Sequence, residues 1–140
     1  MLTLSAAQIM IAAALETARS ATMKPLSVVV LDARGAVRAA ATEDHASLKR
    51  YEIAHAKAHG ALAMGMGTRA LMTRAEAQGY FVSAVSHVVG PLIPVPGGVL
   101  VRDAGNGVIG AVGISGDTSD NDEIAAKAGI AKAGFIADAG

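Results

Sequence analysis

The densest group of side chains able to do chemistry lies in "RYEIAHAKAHGALAM", residues 50–64. Glu52, His55 and His59 fall at intervals of three and four, which on a helix turns them toward one side. Two imidazoles at that spacing can share a metal ion, and either alone can be an axial ligand to haem iron. The stretch is not the HExxH pattern of zinc proteases, because Ala56, Lys57 and Ala58 separate the histidines. A plainer role fits the same spacing: the histidines pack with Tyr51 or sit at a contact between subunits.

Lys57 lies about 200° around such a helix from His55, at roughly 100° per residue. The two cannot face one pocket. Lys57 can hold a carboxylate or a haem propionate, act as a catalytic amine if desolvated, or form a salt bridge on a solvated face. Gly97 and Gly98 in "PVPGG" are either a bend entering a strand or bare backbone amides lining a ligand pocket. His45 and His87 titrate near neutrality and are candidates for acid–base work. Met64 and Met66 are thioether candidates for iron, or core filler. Tyr80 and Phe81 can stack on a flat ligand. The candidate set is thus Lys57, Glu52 and His87 for catalysis; Lys57, Gly97, Gly98, Glu52 and His55 for ligand binding; and His55 with His59 for a metal.

"AVGISGDTSDNDE", residues 111–123, ends an apolar run in glycines and acids. Glycines before a helix suggest an anion site. Here Asp117, Asp120, Asp122 and Glu123 occupy the place an anion would take and complement the helix dipole themselves. Asp120 with Glu123 resembles a capping box, so the segment is expected to be a turn and a capped helix. A Ca²⁺ or Mg²⁺ site is the lesser alternative, since the spacing does not match an EF-hand loop.

The elements that position these residues follow from periodicity. Helices are expected over 6–20, with Ser5 as cap, over 47–64, and over 120–135. Further helical turns are expected over 69–87, broken near Gly79; "YFVSAVSHVV" suits helix or strand equally. "LSVVVLDA" and "VRAAATE" form one β-hairpin, and "GGVLVRD" and "VIGAVGIS" form another around "AGNG". "PLIPVP" is an edge strand or a loop, because proline cannot donate to a ladder. Two hairpins among helices argue for an antiparallel α+β sandwich and against a parallel nucleotide-binding sheet.

Composition narrows the function classes. The 140 residues suit one domain spanning 1–140. Twelve basic and twelve acidic residues give no net charge, so no electrostatic footprint for nucleic acid or an anionic membrane is expected. Aromatics are only 3%, which leaves the core to Ala, Val, Leu, Ile and Met. No cysteine is present, which excludes thiolate metal sites and a Cys nucleophile and suits a cytoplasmic protein. The first charge is Glu16, unlike the basic start of a secretory leader, and no apolar run is long enough to span a membrane.

Three motifs, in order, resemble the GlcG/HbpS family. "VVVLDARGAVRAAATED" is similar to its first hairpin, "EIAHAKAHGAL" to its second helix, and "VPGGVLVRDAGNGVIGAVGISGDTSDNDE" to its C-terminal hairpin and helix start. The resemblance covers nearly the whole chain. It implies an α-β-α sandwich with a five-stranded antiparallel sheet, related to profilin-like folds, and homo-oligomers. It also implies a link to haem, with a related domain in corrinoid adenosyltransferases and other members encoded beside genes for small organic acids or aromatic compounds. Haem ligation in the family is not carried by one shared motif, so the resemblance assigns no ligand residue. The reading is a haem- or small-molecule-binding protein. The alternatives are an acid–base enzyme of organic-acid or aromatic catabolism and a scaffolding oligomer without chemistry.

Overall fold

The apolar run Val28–Leu31 is buried completely, and alternate residues serve two different cores. A computed structural model describes residues 1–140. The elements are α1 (Leu4–Ser20), β1 (Ser27–Asp32), β2 (Val37–Thr42), α2 (Arg50–Met64), α3 (Thr68–Ala77), α4 (Gly79–Val89), β3 (Gly98–Arg102), β4 (Val108–Ser115), α5 (Ser119–Lys132) and β5 (Ile136–Asp138). The sheet order is β2-β1-β4-β3-β5, antiparallel throughout. Val28, Val30, Val112 and Ile114 face a core with Met10, Ala14 and Ile130 of α1 and α5. Val29, Leu31, Leu100 and Ala111 face Ala54, Ala58 and Ala61 of α2. Covering both faces of the sheet removes the polar alternation that marks a half-exposed strand. The fold is the expected α+β sandwich.

α2 packs on the sheet through small residues. A Cβ at Gly113 of β4 would run into the Ala54 carbonyl, and one at Gly98 of β3 would run into the Lys57 carbonyl and the Thr68 methyl. The helix backbone therefore rests almost directly on the strands.

Several expectations need correction. α1 is capped by Thr3, whose Oγ1 accepts the Ala6 N–H, and not by Ser5. Of the two alternatives for "PLIPVP" the loop holds, since residues 91–97 form no strand; the extra edge strand is β5, which follows α5 and pairs with β3. The ambiguous "YFVSAVSHVV" is helical, and the break between α3 and α4 falls at Gln78. α5 is capped by Thr118, which accepts the Asn121 N–H. Asp120 is not the cap: its side chain points outward and pairs with Arg69. The Asp120–Glu123 capping box fails because the chain enters the helix two residues earlier than the acidic pattern suggests.

Candidate functional site

The inward side of α2 carries Lys57. The alanines around it let the helix lie so close to β4 that the long side chain must run along the sheet to its end. There the ammonium donates to the Ile114 carbonyl at 2.9 Å and to Asp122 Oδ2 at 3.0 Å. The Lys57 and Asp122 side chains are only 3% and 2% exposed. Asp122 Oδ1 accepts the Asp117 N–H at 3.0 Å, so both carboxylate oxygens are used. Burial is the largest influence on each partner: it lowers the Lys57 pKa and raises that of Asp122, against their mutual attraction. Gly97 lies against the Lys57 Nζ and the Ile114 carbonyl, where a Cβ would not fit. The Gly98 N–H donates to Thr68 Oγ1 at 2.8 Å, and the hydroxyl returns a bond to the Gly98 carbonyl. Arg69 Nε meets Glu123 at 2.9 Å on the rim of this group. Every buried side-chain nitrogen and oxygen has a partner. The ion pair is therefore internal, and not the exposed salt bridge considered for Lys57 above.

The outward side carries the imidazoles. The His55 and His59 rings stack with centroids 5.9 Å apart and planes 20° from parallel, and Tyr51 follows His55 at 6.2 Å. Burial, then the neighbouring His59, lowers the His55 pKa and favours the neutral ring. His59 Nδ1 lies 2.7 Å from the Pro91 carbonyl oxygen. A carbonyl only accepts, so Nδ1 carries the proton and Nε2 of the neutral ring keeps its lone pair. The two ring carbons beside Nε2 are bordered by glycines: a Cβ at Gly35 would sit 4.0 Å from Cδ2, and one at Gly90 3.6 Å from Cε1. Both glycines have positive φ, 81° and 89°, a conformation that disfavours any side chain there. A recess of about 200 Å³ adjoins the ring, lined by Arg34, Gly35, His59 and Leu62 among others.

The other candidates are dispersed. Glu52 is exposed on α2, His87 is exposed near the end of α4, and His45 is exposed in the β2–α2 connection with φ 69°. Met64 and Met66 are half-buried and Tyr80 is 75% exposed. Phe81 lies under the Arg74 guanidinium, 4.2 Å from its ring centre. No three His, Asp or Glu side chains are grouped to hold a metal ion. Sequence reasoning missed Asp122 as the partner of Lys57 and Pro91 as the partner of His59. The first was within reach, since Asp122 stands in the acidic run already singled out.

The family described as "Haem degrading protein HbpS-like" matches residues 2–131. The chain belongs to the HbpS-like family. Among solved structures, this HbpS-like chain is similar to a PduOC:heme complex, with 27% identity, a TM-score of 0.86 and 96% of each chain covered. It is also similar to a doubly substituted HbpS from Streptomyces reticuli, with 28% identity and a TM-score of 0.81 over 94% of this chain and 86% of that one. The protein ORFY from Klebsiella pneumoniae gives 26% identity and a TM-score of 0.83 over 94% and 89%. No curated protein matches the chain. No helix is long and apolar enough to cross a membrane.

Proposed function

We propose that this HbpS-like chain binds haem or a closely related tetrapyrrole on the outward side of α2, with His59 supplying the nitrogen ligand. The observation that carries the reading is the His59 ring itself. Its Nδ1–H is held by the Pro91 carbonyl and its Nε2 edge lies between two glycines. A backbone carbonyl on one ring nitrogen fixes the tautomer and raises the basicity of the other, as in metal-ligating histidines generally. The glycine border is a cradle that a side chain would fill, and it leaves an open approach to Nε2. Bound haem would supply a redox-active iron; the chain's own part is to hold and orient it. His55 stacks behind His59 as a neutral ring, and Arg34 lines the same recess as a cation for a propionate. That the chain aligns over 96% of its length with a protein solved as a haem complex supports the same reading.

The recess alone is smaller than the roughly 300–1,000 Å³ of an ordinary ligand pocket. A homo-oligomer in which a second copy supplies the missing wall belongs to this proposal; exposed Leu48, Tyr80 and Val88 are consistent with such contacts. The cysteine-free composition supports action in the cytoplasm. An acid–base enzyme has less in its favour: Lys57 is enclosed, while Glu52 and His87 stand exposed on separate helices.

Titration with haemin tests the proposal. A shifted Soret band saturating at one haemin per chain is expected, and His59→Ala should remove its nitrogen-ligated character. No shift at stoichiometric haemin overturns the haem reading; an unchanged spectrum in His59→Ala overturns the ligand assignment. Light scattering should return a multiple of the 14.0 kDa chain mass, and a monomer at micromolar concentration would exclude the shared wall.

A further inference from the structure

A second hollow opens at the other end of α2, about 13 Å along the helix axis from His59 at 1.5 Å per residue. It holds about 190 Å³, and Lys24, His45, Ser47, Arg50 and Gly116 contribute to its lining. Neither cation there forms an ion pair, although the Lys24 charge acts on nearby Asp117. Arg50 has no carboxylate partner: its Nε donates to Ser47 Oγ at 2.8 Å and a terminal nitrogen donates to Ser115 Oγ at 3.1 Å. Ser115 is buried at the end of β4. Two neutral hydroxyls thus fix the guanidinium in place and leave its charge and its remaining donors free. Ser47 accepts from Arg50, so its own proton is available to a further acceptor.

The nearby carboxylates are committed elsewhere. Glu43 pairs with Arg19 at 2.9 Å and accepts the Leu26 N–H at 2.9 Å. Asp117 accepts the backbone N–H groups of Lys24 and Thr118 and the Asn121 amide. Glu43 and Asp44 line an adjoining hollow that shares Pro25 and His45 with this one, but neither lines this one. α2 begins here, and its N-cap residue, Lys49, makes no side-chain capping bond; the positive helix end adds to the local field.

We infer that this hollow is a binding site for a small oxyanion, a carboxylate or a phosphate. Arg50 presents its fork to two oxygens, Lys24 offsets the charge, and the Ser47 hydroxyl donates to a third position. The hollow, about 190 Å³, has room for a small anion of this kind. The site shares no residue with the haem reading and stands or falls without it.

Calorimetric titration of the full chain with acetate, oxalate and inorganic phosphate tests it. At least one probe should bind one-to-one, and preference among the three identifies carboxylate or phosphate as the source. Arg50→Gln should weaken that affinity on the order of tenfold or more, as loss of a charge-assisted fork does. Lys24→Gln should weaken it less, and Arg38→Gln, on β2, should leave it unchanged. No heat with any probe, or full affinity in Arg50→Gln, overturns the inference. If Arg50→Gln melts early through loss of its Ser115 bond, Lys24→Gln and His45→Gln decide, and undiminished affinity in both overturns it.

Discussion

Lys57 and His59 are two residues apart on one helix, and their surroundings differ in almost every respect. Lys57 sits among backbone atoms of β3 and β4, with its charge met by one carboxylate and one carbonyl. His59 sits against a turn and a loop, with one nitrogen fixed and the other bordered by bare glycines. The inward residue has two of its three ammonium donors answered and is closed to a visitor by its burial; the outward one stands beside an open recess. A polar side chain in an unusual position is thus not evidence of a ligand site until its partners are counted. Enclosed and paired, Lys57 ties α2 to the start of α5, while His59 has an unanswered atom beside a recess.

The largest effect that would sharpen this contrast is expected from Asp122→Ala. It leaves the Lys57 ammonium buried without its counter-ion, at a cost of about 3–5 kcal/mol, read from urea unfolding. Replacing both partners, as Lys57→Met with Asp122→Leu, should recover most of the loss. If Asp122→Ala unfolds no more readily than wild type, the inward side is not the structural one. Gly113→Ala comes next. Its methyl group meets the Ala54 carbonyl and should cost about 1–3 kcal/mol by overpacking, with a lower melting temperature.

Thr118→Ala should cost about 1 kcal/mol through the lost cap. Asp120→Ala should cost less, since that side chain is exposed and caps nothing. The reverse order would restore the capping box read from the sequence. Acid titration probes the same turn. Three hydrogen bonds, the strongest influence coming from the Lys24 N–H, hold the Asp117 pKa down from 3.8 to about 2. A carboxylate with a depressed folded pKa contributes stability that is present above the unfolded value and lost as pH falls toward the folded one. Stability should therefore decline between pH 3.8 and about pH 2, and Asp117→Asn should flatten that decline in urea midpoints. Smallest for the fold should be His59→Ala and His55→Ala. Their midpoints should stay near wild type while the haemin spectrum changes; a large loss of stability from either would make the outward side structural too.

Much of this was legible in the sequence. The strands show as apolar runs, the turns as "DARGA" and "AGNG", and the opposed directions of His55 and Lys57 follow from helix geometry alone. β5 was not legible, because three residues ending in an acid carry no strand signal of their own and acquire one only beside β3. α4 was ambiguous because its valines suit either period. The partners of the two key side chains lie 65 and 32 residues away, and no local pattern encodes such a meeting. The anion hollow was not legible for the same reason: Lys24, the stretch from His45 to Arg50, and Gly116 come from three separate parts of the chain.

The central pairing of the sheet has a consequence for the order of folding. β1 pairs with β4 along the whole of its length, yet the paired residues stand about eighty residues apart in the chain. Each outer hairpin needs only a short loop to close, so local pairing is quick. Joining the halves requires the whole intervening segment, including α2, to be gathered in, and loop entropy opposes that step until its contacts form. The slow event is therefore expected to be the docking of two ready-made hairpins along the β1–β4 seam. Because Gly113 lies on that seam beneath α2, the same position that limits helix approach in the finished protein should also limit how fast it is reached.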